Sequence, residues 1–180
     1  MENIPVGSIS SASYEWSVTD KDSNGNYFPG KYDIAADLWF APPSLADAPV
    51  PAPGDTEVMI WMDEHNQVPA GHFITSAAID GSVYSLYCTQ KFNNDSKYDG
   101  VYIAFYPAYS VAPTGNTNAN INLKDFIDYL ESLNNPSCNN LNANNSPLGS
   151  TWYLRQIPVG FEIWNGGVGL EVDSFSESVS

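Results

Sequence analysis

Two short alternating runs, each with a single glutamate, constrain the fold of this chain more than any other feature. They are TEVMIWM at Thr56–Met62 and VGFEIWNGG at Val159–Gly167. Alternation with a period of two predicts β-strands with two different faces. One face of each run is apolar and suits a core. The other face carries an acid beside a flat ring, namely Glu57 with Met59 and Trp61, and Glu162 with Trp164.

The same alternation recurs along the chain and predicts many strands. They are expected at 13–19, 32–40, 57–62, 72–79, 83–89, 101–106, 151–167 (interrupted at Pro158) and 168–175. In the 32–40 run, Asp33, Asp37 and Trp39 share the face opposite the apolar residues. The dipeptide Asp80-Gly81 predicts a tight hairpin. The last strand is expected to turn its valines and leucine (Val168, Leu170 and Val172) towards the core.

One segment has helical periodicity instead. Asn122–Leu133 places its apolar residues three or four positions apart, and Asn122 is a suitable N-cap. One helix among many strands predicts a two-sheet sandwich or jelly roll, formed as a single domain over 1–180. The asparagine-rich stretches 116–122 and 134–145 are predicted to be loops.

Composition excludes several kinds of partner. The net charge is −15 with only 6 Lys and Arg, so the chain lacks the clustered cations that nucleic acid or an anionic membrane requires. No run is long and apolar enough to span a membrane. A neutral polysaccharide is compatible with an acidic surface.

Two cysteines, Cys88 and Cys138, allow one disulfide or two free thiols. One bridge is not a disulfide framework, and Cys88 lies in a strand-like run, so free thiols are favoured. The start MENIPVGSISS is not a signal peptide, because it lacks a basic head and an apolar centre. The protein is then either intracellular or has lost its leader.

The two strand glutamates are a candidate catalytic pair. Glycoside hydrolysis needs two carboxyl groups that flank the scissile bond. Spacing alone does not bring Glu57 and Glu162 together, so the alternative remains that both are ordinary polar residues on exposed faces.

Several segments resemble glycoside hydrolase family 12, a family of endo-acting β-glucanases and xyloglucanases. The motifs are EVMIW, GFEIWNGG and YDIAADLWF, and the helix LKDFIDYL resembles the family's single helix. The resemblance runs from about Tyr14 to the C-terminus. It implies an all-β jelly-roll sandwich of two antiparallel sheets with one α-helix on the convex face, a retaining mechanism and no cofactor.

The resemblance also implies roles for individual residues. Glu57 would be the nucleophile and Glu162 the general acid/base, about 5–5.5 Å apart as retention requires. Asp37 would lie beside the nucleophile, and Met59 near the reacting sugar. The aromatic residues expected on the cleft face, as substrate-binding groups, are Trp61, Trp164, Trp39, Tyr102 and Tyr106. For Trp39 and Tyr106, packing under loops is an equal alternative.

The expected activity is cleavage of β-1,4-glucan by a secreted enzyme. The alternatives are a xyloglucan-specific hydrolase and a non-catalytic carbohydrate-binding relative. Members of the family are usually longer at the N-terminus, so its first strands are expected to be missing here. The chain is expected to be a monomer, although an uncovered strand edge allows self-association.

Overall fold

The fold is all-β, with two sheets and one α-helix in the part of the chain that the structure covers. The structure is a computed structural model that describes residues 3–89, 100–108, 117–138 and 146–180. The strands are β1 (Ile4–Pro5), β2 (Ala12–Thr19), β3 (Gly30–Ala41), β4 (Thr56–His65), β5 (His72–Ile79), β6 (Ser82–Thr89), β7 (Val101–Pro107), β8 (Thr117–Asn122), β9 (Tyr153–Gln156), β10 (Val159–Gly166) and β11 (Glu171–Val179), and the helix is α1 (Leu123–Ser132).

The large sheet has eight strands and the small sheet has three. The order in the large sheet is β1-β9-β3-β4-β7-β6-β5, and β10 continues after β9 along the same edge of β3. The order in the small sheet is β11-β2-β8. All strand pairs among the described residues are antiparallel except β4 with β7. The break expected at Pro158 separates β9 from β10, as predicted.

The strands at the centre of the large sheet have two differently packed faces. On β4, Val58, Ile60 and Met62 belong to the main core, whereas Met59 and Trp61 belong to a separate cluster on the opposite face. This is the alternation that the sequence predicted. The main core therefore lies on one side of the large sheet and leaves the other side for a site.

The helix packs on the core side of the large sheet. Phe126 contacts Phe105 on β7, with ring centroids 5.0 Å apart, and Tyr84 on β6 at 5.2 Å. The predicted N-cap is present, since the Asn122 side chain accepts a hydrogen bond from the Lys124 N–H at 3.2 Å. No helix in the described ranges has the length and apolar character needed to cross a membrane.

The structure corrects the loop prediction for 116–122. Thr117–Asn122 forms β8, which pairs with β2 in a ladder that sets Ile121 opposite Tyr14. Asparagine has low strand propensity, but strand propensity depends on context, and ladder pairing with β2 outweighs it here. Of the second predicted loop, residues 139–145 lie outside the described part of the chain.

The structure also corrects the expectation of free thiols. Cys88 on β6 and Cys138 form a disulfide, with Cα atoms 5.9 Å apart, and both residues are fully buried. Cys138 reaches β6 because the chain turns back over the core directly after α1. Only the fold brings together two residues that are 50 positions apart in sequence.

The last strand differs from its prediction as well. It begins at Glu171, after a turn in which Gly166 has a φ of 69° and lies so close to Pro29 that an added Cβ would be 2.4 Å from the Pro29 carbonyl oxygen. Val168 is 86% exposed and Val172 is 40% exposed, so neither faces a covered core. The sandwich is therefore open along β11.

Candidate active site

The predicted site residues lie on one face of the large sheet, around β3. On β4, Met59 pairs with Asp37, and Glu57 pairs with Trp39. On the other edge of β3, Glu162 of β10 pairs with Asp33. Directly paired residues in a sheet point to the same face. The two neighbours of β3 thus bring both glutamates to the same side.

An open pocket of about 180 Å³ lies between β3, β4 and β10. Asp33, Asp37, Met59 and Glu162 line it, together with the backbone and side chains of the Pro158–Phe161 segment. Glu57 lies next to this pocket and is 8% exposed. The arrangement places four carboxyl groups close together, of which those of Asp33 and Glu57 are buried and that of Glu162 is exposed.

Burial and mutual repulsion hold protons on this cluster. Burial is the largest effect that raises the pKa of Glu57, and the charges of Asp37 and Glu162 raise it further. Burial also raises the pKa of Asp37, which the Trp39 indole opposes. Two close carboxyl groups in a low-dielectric site do not both ionise readily, so Glu57 and Asp37 titrate as a pair that retains one proton.

Trp39 contacts the carboxyl cluster directly. Its Nε1–H donates a hydrogen bond to Oδ2 of Asp37 at 3.0 Å. A donor at this position favours the ionised form of Asp37. The proton of the pair therefore favours Glu57. The role of Trp39 in binding sugar stays a prediction, whereas its indole N–H is engaged by Asp37.

Glu162 occupies a different environment from Glu57. Its side chain is exposed at the pocket mouth, yet desolvation by the pocket wall raises the pKa of its carboxyl. A carboxyl group with a raised pKa keeps its proton closer to neutral pH. Such a group is suited to donating a proton to a departing oxygen.

The aromatic residues on this face differ in exposure. Trp61 and Tyr102 are 1% and 2% exposed and pack in one cluster with Met59, so neither offers a ring face to a ligand. Tyr106 is half-buried, packs edge-on against Trp61 with centroids 5.8 Å apart, and donates to Oε1 of Glu64 at 3.4 Å. Trp164 is 46% exposed and lies beside Lys31, whose Nζ is 5.9 Å from the ring centroid.

The sequence prediction missed two features of this face. Asp33 lines the pocket, although the sequence analysis names Asp37 as the only candidate carboxyl group of β3. A row of rings also extends beyond Trp61 and Tyr106, because Tyr87 packs against Tyr106 at 6.2 Å and Phe73 against Tyr87 at 6.1 Å. Alternation within the strands was the available signal for Asp33 and Tyr87.

The carboxyl cluster makes the stability of the fold depend on pH. Asp33, with a pKa raised to about 8, and the Glu57–Asp37 pair bind protons more tightly in the folded than in the unfolded chain. Their stabilising contribution is complete below pH 4 and is lost as the pH rises to about 8 or above, by at most about 1.4 kcal/mol per group and pH unit. We expect the melting temperature to fall by about 5 °C or more between pH 5 and pH 8.

A comparison of variants separates the effect of the carboxyl cluster on the melting temperature from the effect of the acidic surface. Glu57→Gln should flatten the dependence of melting temperature on pH. Glu171→Gln on exposed β11 removes one charge without touching the cluster, and its curve should run parallel to that of the wild type. Equal slopes for all three proteins would contradict the assignment of raised pKa values to the cluster.

Comparisons with known proteins point to one family. The family model for glycosyl hydrolase family 12 matches residues 2–180. The probable cellulase Cel12b of Mycobacterium tuberculosis (strain ATCC 25618 / H37Rv) is 26% identical over 125 residues, which cover 69% of this chain and 68% of that protein.

Solved structures give the same fold. One was solved in a comparison of family 12 glycoside hydrolases and recruited substitutions important for thermal stability. It is 28% identical with a TM-score of 0.72, and the match covers 98% of this chain and 65% of that chain. The native family 12 xyloglucanase from Bacillus licheniformis is 18% identical with a TM-score of 0.72, over 99% of this chain and 66% of that one. This chain thus spans about two thirds of the length of these structures.

Proposed function

Because this chain belongs to glycosyl hydrolase family 12, we propose that it is a retaining, endo-acting hydrolase of β-1,4-glucan chains. The observation that carries the proposal is the closeness of three carboxyl groups: Asp37 and Glu162 line one pocket, and both raise the pKa of the neighbouring Glu57 through their charges. A pair of acids with different environments is what double displacement requires.

In the first step, Glu57 attacks the anomeric carbon and forms a glycosyl-enzyme ester. At the same time Glu162 gives its proton to the departing glycosidic oxygen, so the leaving chain departs as an alcohol. Glu57 attacks when the proton of the Glu57–Asp37 pair lies on Asp37. A pair that holds one proton in total allows this, because the proton only has to move between two adjacent carboxyl groups.

In the second step, Glu162 acts as a base. Its carboxylate takes a proton from water, the water oxygen attacks the anomeric carbon, and the ester bond to Glu57 breaks. The sugar leaves with its original configuration, and Glu162 is again protonated for the next cycle. The raised pKa of Glu162 supports its role as the acid of the first step.

The aromatic row supports a polymeric substrate. Tyr106, Tyr87 and Phe73 lie on neighbouring strands at increasing distance from β4, and Phe73 is 53% exposed. Together with Trp164 on the opposite side of the acids, they provide ring surfaces on both sides of the cleavage point. Rings on both sides favour cleavage within a chain over release of single sugars.

A buried disulfide supports export of the protein. Disulfides persist in oxidising compartments and are rare in the cytosol. A hydrolase of insoluble or high-molecular-weight glucan would also need to meet its substrate outside the cell. We therefore include secretion in the proposal.

The test is covalent trapping with a 2-deoxy-2-fluoro-cellobioside that carries an activated leaving group. The fluorine slows both steps, and the good leaving group restores the first, so the ester accumulates. We expect one equivalent of label, attached to Glu57, with loss of activity over the same time course. Peptide mapping by mass spectrometry identifies the labelled residue.

The outcomes separate this proposal from its rivals. Label on another residue would overturn the assignment of Glu57. Glucan binding with no label and no release of reducing ends would indicate a carbohydrate-binding relative. Initial rates on carboxymethylcellulose and xyloglucan then decide whether the protein is a cellulase or a xyloglucanase.

A further inference from the structure

Asp33 is a fully buried carboxyl group that the proposed mechanism does not use. It lies on β3, it is 0% exposed, and it lines the pocket between Asp37 and Glu162. Neither of its carboxyl oxygens has a hydrogen-bond partner of normal geometry within the described residues. A buried polar group without partners costs about 1–3 kcal/mol, so such a group in a pocket points to a ligand.

The surroundings of Asp33 favour its neutral, protonated form. Desolvation is the main reason that its pKa rises to about 8, and repulsion by Glu162 and Asp37 adds to it, while the backbone N–H of Glu162 opposes the rise. From β4, Glu57 and the half-buried Glu64 share this face, and from β7 the neutral Tyr102 does. Lys31, two residues before Asp33 on β3, lies against Trp164.

The acids do not form a metal site. No group of three or more His, Cys, Asp or Glu side chains in the described ranges is arranged to hold an ion. A neutral carboxyl group offers one O–H donor and a carbonyl acceptor instead. Sugar hydroxyl groups, which donate and accept, are the complementary partners.

We propose that Asp33 is a substrate-binding residue whose neutral carboxyl group hydrogen-bonds a hydroxyl of the sugar ring that enters the pocket beside Glu162. This inference rests on the proposed function, since it takes a β-glucan as the ligand. Asp33 would hold the ring between Glu162 and Asp37, so that the glycosidic oxygen meets the acid. It would act by binding and orientation and would transfer no proton.

The carboxamide and the leucine variants test this role. Asn has the same size and the same donor–acceptor pair as a neutral Asp, so D33N should keep kcat/KM on a soluble β-glucan within about threefold of wild type. D33L has similar bulk but no hydrogen bond, and its kcat/KM should fall about tenfold or more. D33A is a second variant without the hydrogen bond and should behave like D33L.

Binding and folding are measured separately from turnover. In the Glu57→Gln background, calorimetric titration with cellohexaose should show about tenfold weaker binding for D33L and no comparable loss for D33N. Replacing a buried, unpartnered carboxyl by an apolar group of similar size should not lower the melting temperature. The matched pair D128N and D128L, on the exposed helix surface, should leave turnover and binding unchanged.

Two results would overturn the inference. One is D33L and D33A with wild-type kcat/KM and binding. The other is D33N as impaired as D33L, which would show that an acid and not a neutral hydrogen-bonding group is needed. If the wild type binds cellohexaose but releases no reducing ends, the proposed function fails, while the binding series still decides the role of Asp33.

Discussion

Glu57→Gln is expected to lower kcat/KM on β-1,4-glucan by about 10⁴-fold or more, because the amide cannot form the glycosyl ester. The loss should be the same for substrates with good or poor leaving groups, since no nucleophile remains in either case. The change keeps the size of the side chain and removes a group that burial holds in its protonated form, so the fold should be retained. Rates of reducing-end release and a circular dichroism spectrum measure the two properties.

Glu162→Gln should produce a different pattern of losses. On glucan, where the leaving oxygen needs a proton, the loss should be about 10²- to 10⁴-fold. On 2,4-dinitrophenyl cellobioside the leaving group needs no proton, so a burst of dinitrophenol should precede slow turnover. In Glu162→Ala, added azide should restore turnover by attacking the glycosyl ester, with a β-glycosyl azide as the product.

Glu171→Gln is the matched control, because it makes the same chemical change on an exposed strand of the small sheet. Its rates should equal those of the wild type. Wild-type turnover by the Glu57 variant would show that Glu57 is not the nucleophile. A burst in the Glu57 variant with none in the Glu162 variant would exchange the two roles.

Much of this site followed from strand alternation. A period of two is a strict property of strands, so it placed Glu57 and Met59 on the face away from the core without any knowledge of pairing. It also placed Asp33, Asp37 and Trp39 together on β3. Alternation does not give the order of strands, and only the ladder shows that β3 lies between β4 and β10. The resemblance to a family supplied what alternation could not, by linking two glutamates far apart in sequence.

The failures have a common cause, which is dependence on distant partners. β8 forms because β2 offers an edge to an asparagine-rich segment, and local propensity does not contain that information. The open side of the sandwich along β11 is equally invisible from the alternation of its own residues. The exposure of side chains depends on distant partners in the same way. Alternation puts Trp61 on the face away from the main core, as observed, yet neighbouring strands bury its ring completely.

The Cys88–Cys138 disulfide is expected to raise the free energy of unfolding by several kcal/mol, because it constrains the unfolded chain. It closes a loop across 50 residues. The chain-entropy argument gives about 4 kcal/mol for a loop of that length, although strain and residual structure reduce the measured value. The bridge joins β6 to the segment after α1, on the core side of the large sheet, so its loss should free this segment and leave the pocket face intact.

Urea unfolding with and without a reductant measures this contribution. Reduction of the wild type should lower the unfolding midpoint by about 1–2 M urea, which corresponds to 2–4 kcal/mol at an m-value of about 2 kcal/mol/M. The double variant Cys88→Ala/Cys138→Ala should unfold at least as early and should not respond to reductant, which separates the bridge from other effects of the reagent. Activity on glucan at 25 °C should persist in the reduced wild type and in the double variant, because positions 88 and 138 lie on the opposite side of the sheet from the acids. Two alkylatable thiols in the unreduced, unfolded wild type, with an unchanged midpoint on reduction, would show that the cysteines are free after all.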